Sequence, residues 1–141
     1  MAKFKFRLEK VERVRQLVEE QKKQEWAIQE QQLRRQRAKL NSLLQQKNDV
    51  MEFGYKQNNI AIKTAMYDYL AVLNENISFQ QTQVIQCEKK TASAKKEWFL
   101  ALQEKEKVET LREKQYEEYR KKQLRDEQKV LDDMRSRVEG I

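Results

Sequence analysis

The sequence predicts an all-α protein built from two long helices folded into an antiparallel coiled-coil hairpin, and three observations predict it. Proline is absent from the 141 residues and glycine occurs only at Gly54 and Gly140, so little in the chain forces the backbone out of helix. The composition is 38% charged and only 38% hydrophobic, too few apolar residues for a thick core and enough for a narrow seam. The apolar residues recur periodically among strong helix formers, which separates this chain from a disordered one of similar polarity.

The second helix, expected over about residues 61–139, carries the clearest pattern. Leu70, Ile77, Val84, Thr91 and Trp98 recur every seventh residue, and Leu73, Gln80, Cys87, Ala94 and Ala101 follow three positions on. This is a heptad seam of the a and d kind. Beyond Val108 and Leu111 the register is expected to change, because the next apolar set is Leu124, Leu131 and Val138 with Met134. Dense charges of both signs over 104–139 support an exposed helix through i,i+4 pairs, and this end is expected to project past the paired region.

The first helix, expected over about residues 4–53, reads as two stripes out of phase by about one residue: Phe4, Leu8, Val11 and Val18, then Trp26, Leu33, Leu40, Leu44 and Met51. A phase slip of this kind changes local supercoiling without ending a helix. Asn48, Asp49, Gly54 and Gln57-Asn58-Asn59 form the one cluster of turn residues, which places the turn at about 54–60. The whole chain, 1–141, is then a single coiled-coil domain. A helix over 4–53 would be about 75 Å long at about 1.5 Å per residue. Each helix has one seam and needs one partner, and the short turn makes the internal partner the less costly in entropy.

The chemistry of catalysis is missing. The chain has no histidine, hence neither the commonest general base nor the commonest metal ligand. Cys87 is the one cysteine, with no second thiol or imidazole to build a zinc site or a dyad, and two isolated glycines cannot form a phosphate-binding loop. No enzyme activity, cofactor, metal or small-molecule ligand is expected. No stretch approaches the roughly 18 apolar residues that span a bilayer, and the first residues lack the apolar core of a signal peptide, so a cytosolic protein is expected.

The net charge is +7, and residues 1–56 hold 14 basic against 8 acidic residues, or +6 of it. Lys3, Lys5, Arg7, Lys10, Arg13 and Arg15 crowd the start, and Arg34, Arg35, Arg37 and Lys39 lie in a stretch free of acid. Such a helix suits nucleic acid, an anionic membrane or an acidic protein surface, or is simply solvated. Nucleic acid is disfavoured because basic zipper proteins carry a denser basic run beside an uninterrupted heptad. The alternation of Phe4, Phe6 and Leu8 with basic residues is too short for an interfacial membrane helix. Tyr69, Phe79 and Phe99 are expected off the seam and exposed, as partner contacts or as plain surface.

Three blocks of residues, in order and spacing, resemble the flagellar FliJ family of coiled-coil proteins of the flagellar type III export apparatus. They are Phe4-Lys5-Phe6-Arg7-Leu8-Glu9-Lys10-Val11 with Arg13-Val14-Arg15; Tyr67-Asp68-Tyr69-Leu70 with Leu73 and Ile77; and Lys95-Lys96-Glu97-Trp98 leading to Glu113-Lys114-Gln115-Tyr116-Glu117-Glu118-Tyr119-Arg120 and Asp126-Glu127-Gln128-Lys129. The resemblance implies a hairpin similar to the central stalk of rotary ATPases. It implies a monomer whose paired termini enter the hexameric export ATPase and stimulate it, and which links that ring to the export-gate membrane protein and to export chaperones at the cytoplasmic face of the inner membrane. By the same resemblance Phe4, Arg7, Leu8, Arg13, Arg15, Tyr116, Tyr119 and Arg120 would meet the ATPase ring, and Leu43, Tyr69, Leu73 and Gln80 the gate. The alternative is a generic basic coiled coil that scaffolds a complex as a homodimer or binds nucleic acid; injectisome and flagellar members are not separated by these residues.

Overall fold

The computed structural model describes residues 3–140. Two helices, α1 (Glu9–Tyr55) and α2 (Ile60–Glu139), pack against each other as an antiparallel helical hairpin, and no strand occurs among the described residues. The described residues group into two compact units, residues 21–99 and residues 3–20 with 100–140.

In residues 21–99 the seam follows from heptad spacing on both helices. On α2, Met66, Leu70, Leu73, Ile77, Gln80, Val84, Cys87, Thr91, Ala94 and Trp98 are buried or half-buried, at alternating steps of three and four that keep one face toward the partner. On α1 the same steps pick out Lys22, Trp26, Gln29, Leu33, Gln36, Leu40, Leu43, Lys47, Val50 and Gly54. The expected stripe was off by one at its end: Leu44 is exposed and its neighbour Leu43 takes the seam. Lys47 and Gly54 continue the seven-residue step from Leu40, so an apolar count alone drifts onto Leu44.

Two polar seam positions of α2 are satisfied across the hairpin, whereas the Gln29 Oε1 and Trp26 Nε1 atoms are buried without a hydrogen-bond partner. Gln80 is buried and its amide nitrogen donates to the carbonyl of Gln36 at 3.0 Å and to that residue's Oε1 at 2.7 Å. Thr91 directs its hydroxyl at the Cys87 carbonyl (2.8 Å) and the Gln29 carbonyl (3.2 Å). A partnered polar group in a seam costs little and specifies register. Trp26 and Trp98 stack at 5.1 Å between centroids, with the Lys95 ammonium 5.7 Å over the Trp26 ring, adding aromatic and cation–π attraction to the area they bury. Lys22 bridges Glu97 (3.3 Å) and Glu25 (3.4 Å). The hydrogen bond to Glu97, then the charge of Glu25, raises its pKa above the ordinary lysine value.

The turn is shorter than the sequence suggests. Helix α1 runs through Gly54 to Tyr55, its last turn tightened by bonds from the Lys56 amide to the Phe53 carbonyl and from the Gln57 amide to the Gly54 carbonyl. Asn59 then caps α2, its Oδ1 accepting from the Ala61 amide at 2.9 Å, as expected of an N-cap asparagine. Gly54 has no positive φ; what it supplies is space, since a Cβ there would fall on the Met66 sulfur. Gly54→Val is expected to lower stability by about 1–3 kcal/mol through overpacking, part of which Met66→Ala should restore, as read by thermal unfolding.

Leu73 is 2% exposed, so Leu73→Asp places a carboxylate in the seam with no partner. An expected loss of about 3 kcal/mol or more is measurable by urea denaturation followed by circular dichroism.

Candidate functional site

The second unit joins the start of the chain to the far part of α2. Residues Phe4–Arg7 are not helical as expected from about residue 4; α1 begins at Glu9, with Glu9 and Glu12 in its first turn, where carboxylates suit the helix dipole. Phe6 is buried and Phe4 lies half-buried against Tyr116 and Tyr119, each at 5.4 Å between centroids. A helix would have set Phe4 and Phe6 on opposite faces.

From Glu9 to Glu20 the amphipathic pattern of α1 is inverted. Glu12 and Glu19 are 6% and 7% exposed, whereas Val11, Val14 and Val18 are 38%, 57% and 39% exposed. The expected stripe through Val11 and Val18 is therefore not the seam, and the expected phase slip does not occur, because Glu12 and Glu19 stand fourteen and seven residues before Trp26. On α2 in this unit Ala101, Lys105, Val108, Gln115 and Tyr119 are buried or half-buried at steps of three, four and seven, so the register change expected after Val108 and Leu111 does not occur there. Arg112 reaches Glu12 at 2.7 Å, Lys105 lies 3.9 Å from Glu19, and Arg15 pairs with the Glu104 carboxylate at 3.2 Å and donates to its carbonyl at 3.0 Å. The second Glu12 oxygen, Oε2, is buried without a hydrogen-bond partner.

Charge of this kind was legible. Lys105 and Arg112 continue the heptad of Thr91 and Trp98, and the acids opposite them continue that of Trp26 and Leu33. A search for apolar residues alone passes over both. Glu104 is exposed; its hydrogen bond to Lys107 (3.1 Å) and that ammonium's charge, helped by Arg15, hold its carboxyl below the ordinary range. A lowered pKa contributes stability present above the unfolded-state value and lost as pH falls through the folded-state value.

Of the residues assigned to an ATPase-ring contact, Phe4, Tyr116 and Tyr119 are brought together as one aromatic cluster in this unit. Arg7, Arg13 and Arg120 are exposed, Arg13 pairing with Glu9 at 3.2 Å. Leu8 and Arg15 are half-buried. Beyond Tyr119, α2 has no counterpart from α1, and Leu124, Val130, Leu131, Met134 and Val138 are exposed. Of the gate residues, Leu73 and Gln80 are buried and Leu43 is half-buried in the seam of residues 21–99, which leaves Tyr69 exposed, with Val72 and Phe79 exposed on the same face.

Comparison with protein-family models matches residues 4–138 to the flagellar FliJ protein. The chain belongs to the flagellar FliJ family. Neither the curated proteins nor the solved structures gave a match. As a FliJ-family chain it is a component of the flagellar export apparatus. The match spans nearly all of both helices, so the basic start, the aromatic cluster and the overhanging end of α2 all lie within the family's length. No helix among the described residues is long and apolar enough to cross a membrane.

Arg112→Met strands the Glu12 carboxylate and is expected to destabilise by about 1–3 kcal/mol, reduced from a fully buried pair because Arg112 is half exposed. The double variant Glu12→Leu, Arg112→Met should recover most of that loss in thermal unfolding, since an apolar seam pair replaces the ionic one.

Proposed function

We propose that this protein is a non-catalytic shaft of the flagellar export ATPase. The unit holding Phe4–Glu20 and the facing part of α2 enters the pore of the hexameric ring and raises its activity. The observation that carries this reading is the FliJ-family match over residues 4–138. Its support in the molecule is the exposed Arg7, Arg13 and Arg120 together with the Phe4, Tyr116 and Tyr119 cluster of the same unit. Basic side chains on a helical end steer docking onto acidic loops of a ring more than they set its affinity, and the aromatic rings supply desolvated contact.

The same chain connects the ring to the export-gate membrane protein and to export chaperones, at the cytoplasmic face of the inner membrane. With Leu73 and Gln80 spent inside the hairpin, the gate contact falls to Tyr69 and its exposed neighbours Val72 and Phe79. It acts as a monomer, because each helix gives its one seam to the other, and as one coiled-coil domain.

Titrating the protein into purified export ATPase should raise the hydrolysis rate; an unchanged rate at saturation would sink the reading. Arg7→Glu with Arg13→Glu is expected to cut the stimulation at low salt by about tenfold, with helicity by circular dichroism unchanged. Arg15 stays out of that variant because reversing it sets two carboxylates against each other at Glu104.

A further inference from the structure

The start of α1 carries two seams on one helix, displaced by one residue. Glu12, Arg15 and Glu19 occupy the inward face. Val11, Val14 and Val18 have the same three-and-four spacing one position earlier, and all three lie exposed. Successive residues of an α-helix differ by about 100° around its axis. A local rotation of α1 by that angle therefore exchanges one trio for the other without changing its rise along α2.

We propose that the segment Glu9–Glu20 is a register switch with an ionic state, the one seen here, and an apolar state in which Val11, Val14 and Val18 face α2 and the two acids turn to water. The two states are balanced by opposite defects. The ionic state leaves three valines in solvent and the Oε2 atom of Glu12 buried without a partner. The apolar state buries the valines against Val108, which is already 4% exposed, and gives up the pairs to Arg112 and Lys105. Phase changes in a coiled-coil seam are absorbed by local overwinding or underwinding of the helix. Rotation also turns the outward face of this segment, Lys10 and Arg13 included, so any partner that reads that face binds one state in preference to the other.

The test uses the full chain with Cys87→Ser and a single reporter, Val14→Cys or Gln16→Cys, and follows maleimide labelling. Position 14 is exposed in the ionic state and inward in the apolar one; position 16, half-buried here, moves the opposite way. Glu12→Lys with Glu19→Lys sets like charges against Arg112 and Lys105 and should drive the switch. Labelling at position 14 is expected to slow by about tenfold while labelling at position 16 quickens, with helical content by circular dichroism unchanged. Adding Lys105→Glu and Arg112→Glu should return both rates to their starting values. Quickening at both positions, with or without loss of helix, means the segment peels away instead of rotating and overturns the proposal, as do two unchanged rates.

Discussion

The hairpin depends on a single row of side chains from each helix meeting its counterpart across one seam. Two helices bury only this row, so every other residue stays at the surface and the chain is necessarily polar. The same constraint makes seam positions costly to misuse. Where α2 places Gln80 and Thr91 there, each finds a carbonyl across the seam. An unpartnered polar group at that depth would lose more than the net value of the hydrogen bond it failed to make.

Near the chain start the seam changes chemistry and keeps its geometry. Glutamates on α1 meet arginine and lysine on α2 at heptad positions. Ion pairs in a seam are net weak stabilisers because desolvation offsets attraction, so this part of the hairpin is held less firmly than an apolar row would hold it. The Phe4 contact with Tyr116 and Tyr119 closes the row with aromatic area. A segment with modest stability and charged, orientable faces suits a part that must engage another protein, whereas the apolar and aromatic seam around Leu33, Leu73, Ile77 and the stacked tryptophans suits a spacer.

The exposed apolar residues divide by the same logic. Leu124, Leu131, Met134 and Val138 lie on α2 beyond the reach of α1, and Tyr69, Val72 and Phe79 lie on its outer face. Neither set has a place in a two-helix seam, because a helix with one intramolecular partner has only one buried face. Their exposure is what a component of a larger apparatus presents to other chains.

Composition and spacing alone determined the helical hairpin, the α2 heptad from Leu70 through Ala101, a turn within about 54–60 and the exposure of Tyr69, Phe79 and Phe99, because each follows from local propensity and the period of a helix. Tertiary structure decided the rest. It chose Glu12 and Glu19 over Val11 and Val18, Leu43 over Leu44, and a non-helical Phe4–Arg7 over a helical one. At the seam positions two adjacent residues competed, and the choice fell to what stood across the seam. Arg112 and Lys105 gave the glutamates partners, Met66 required the space of Gly54, and Tyr116 with Tyr119 drew Phe4 out of the helix. Those partners lie far away in sequence, where a pattern read along one helix does not register them.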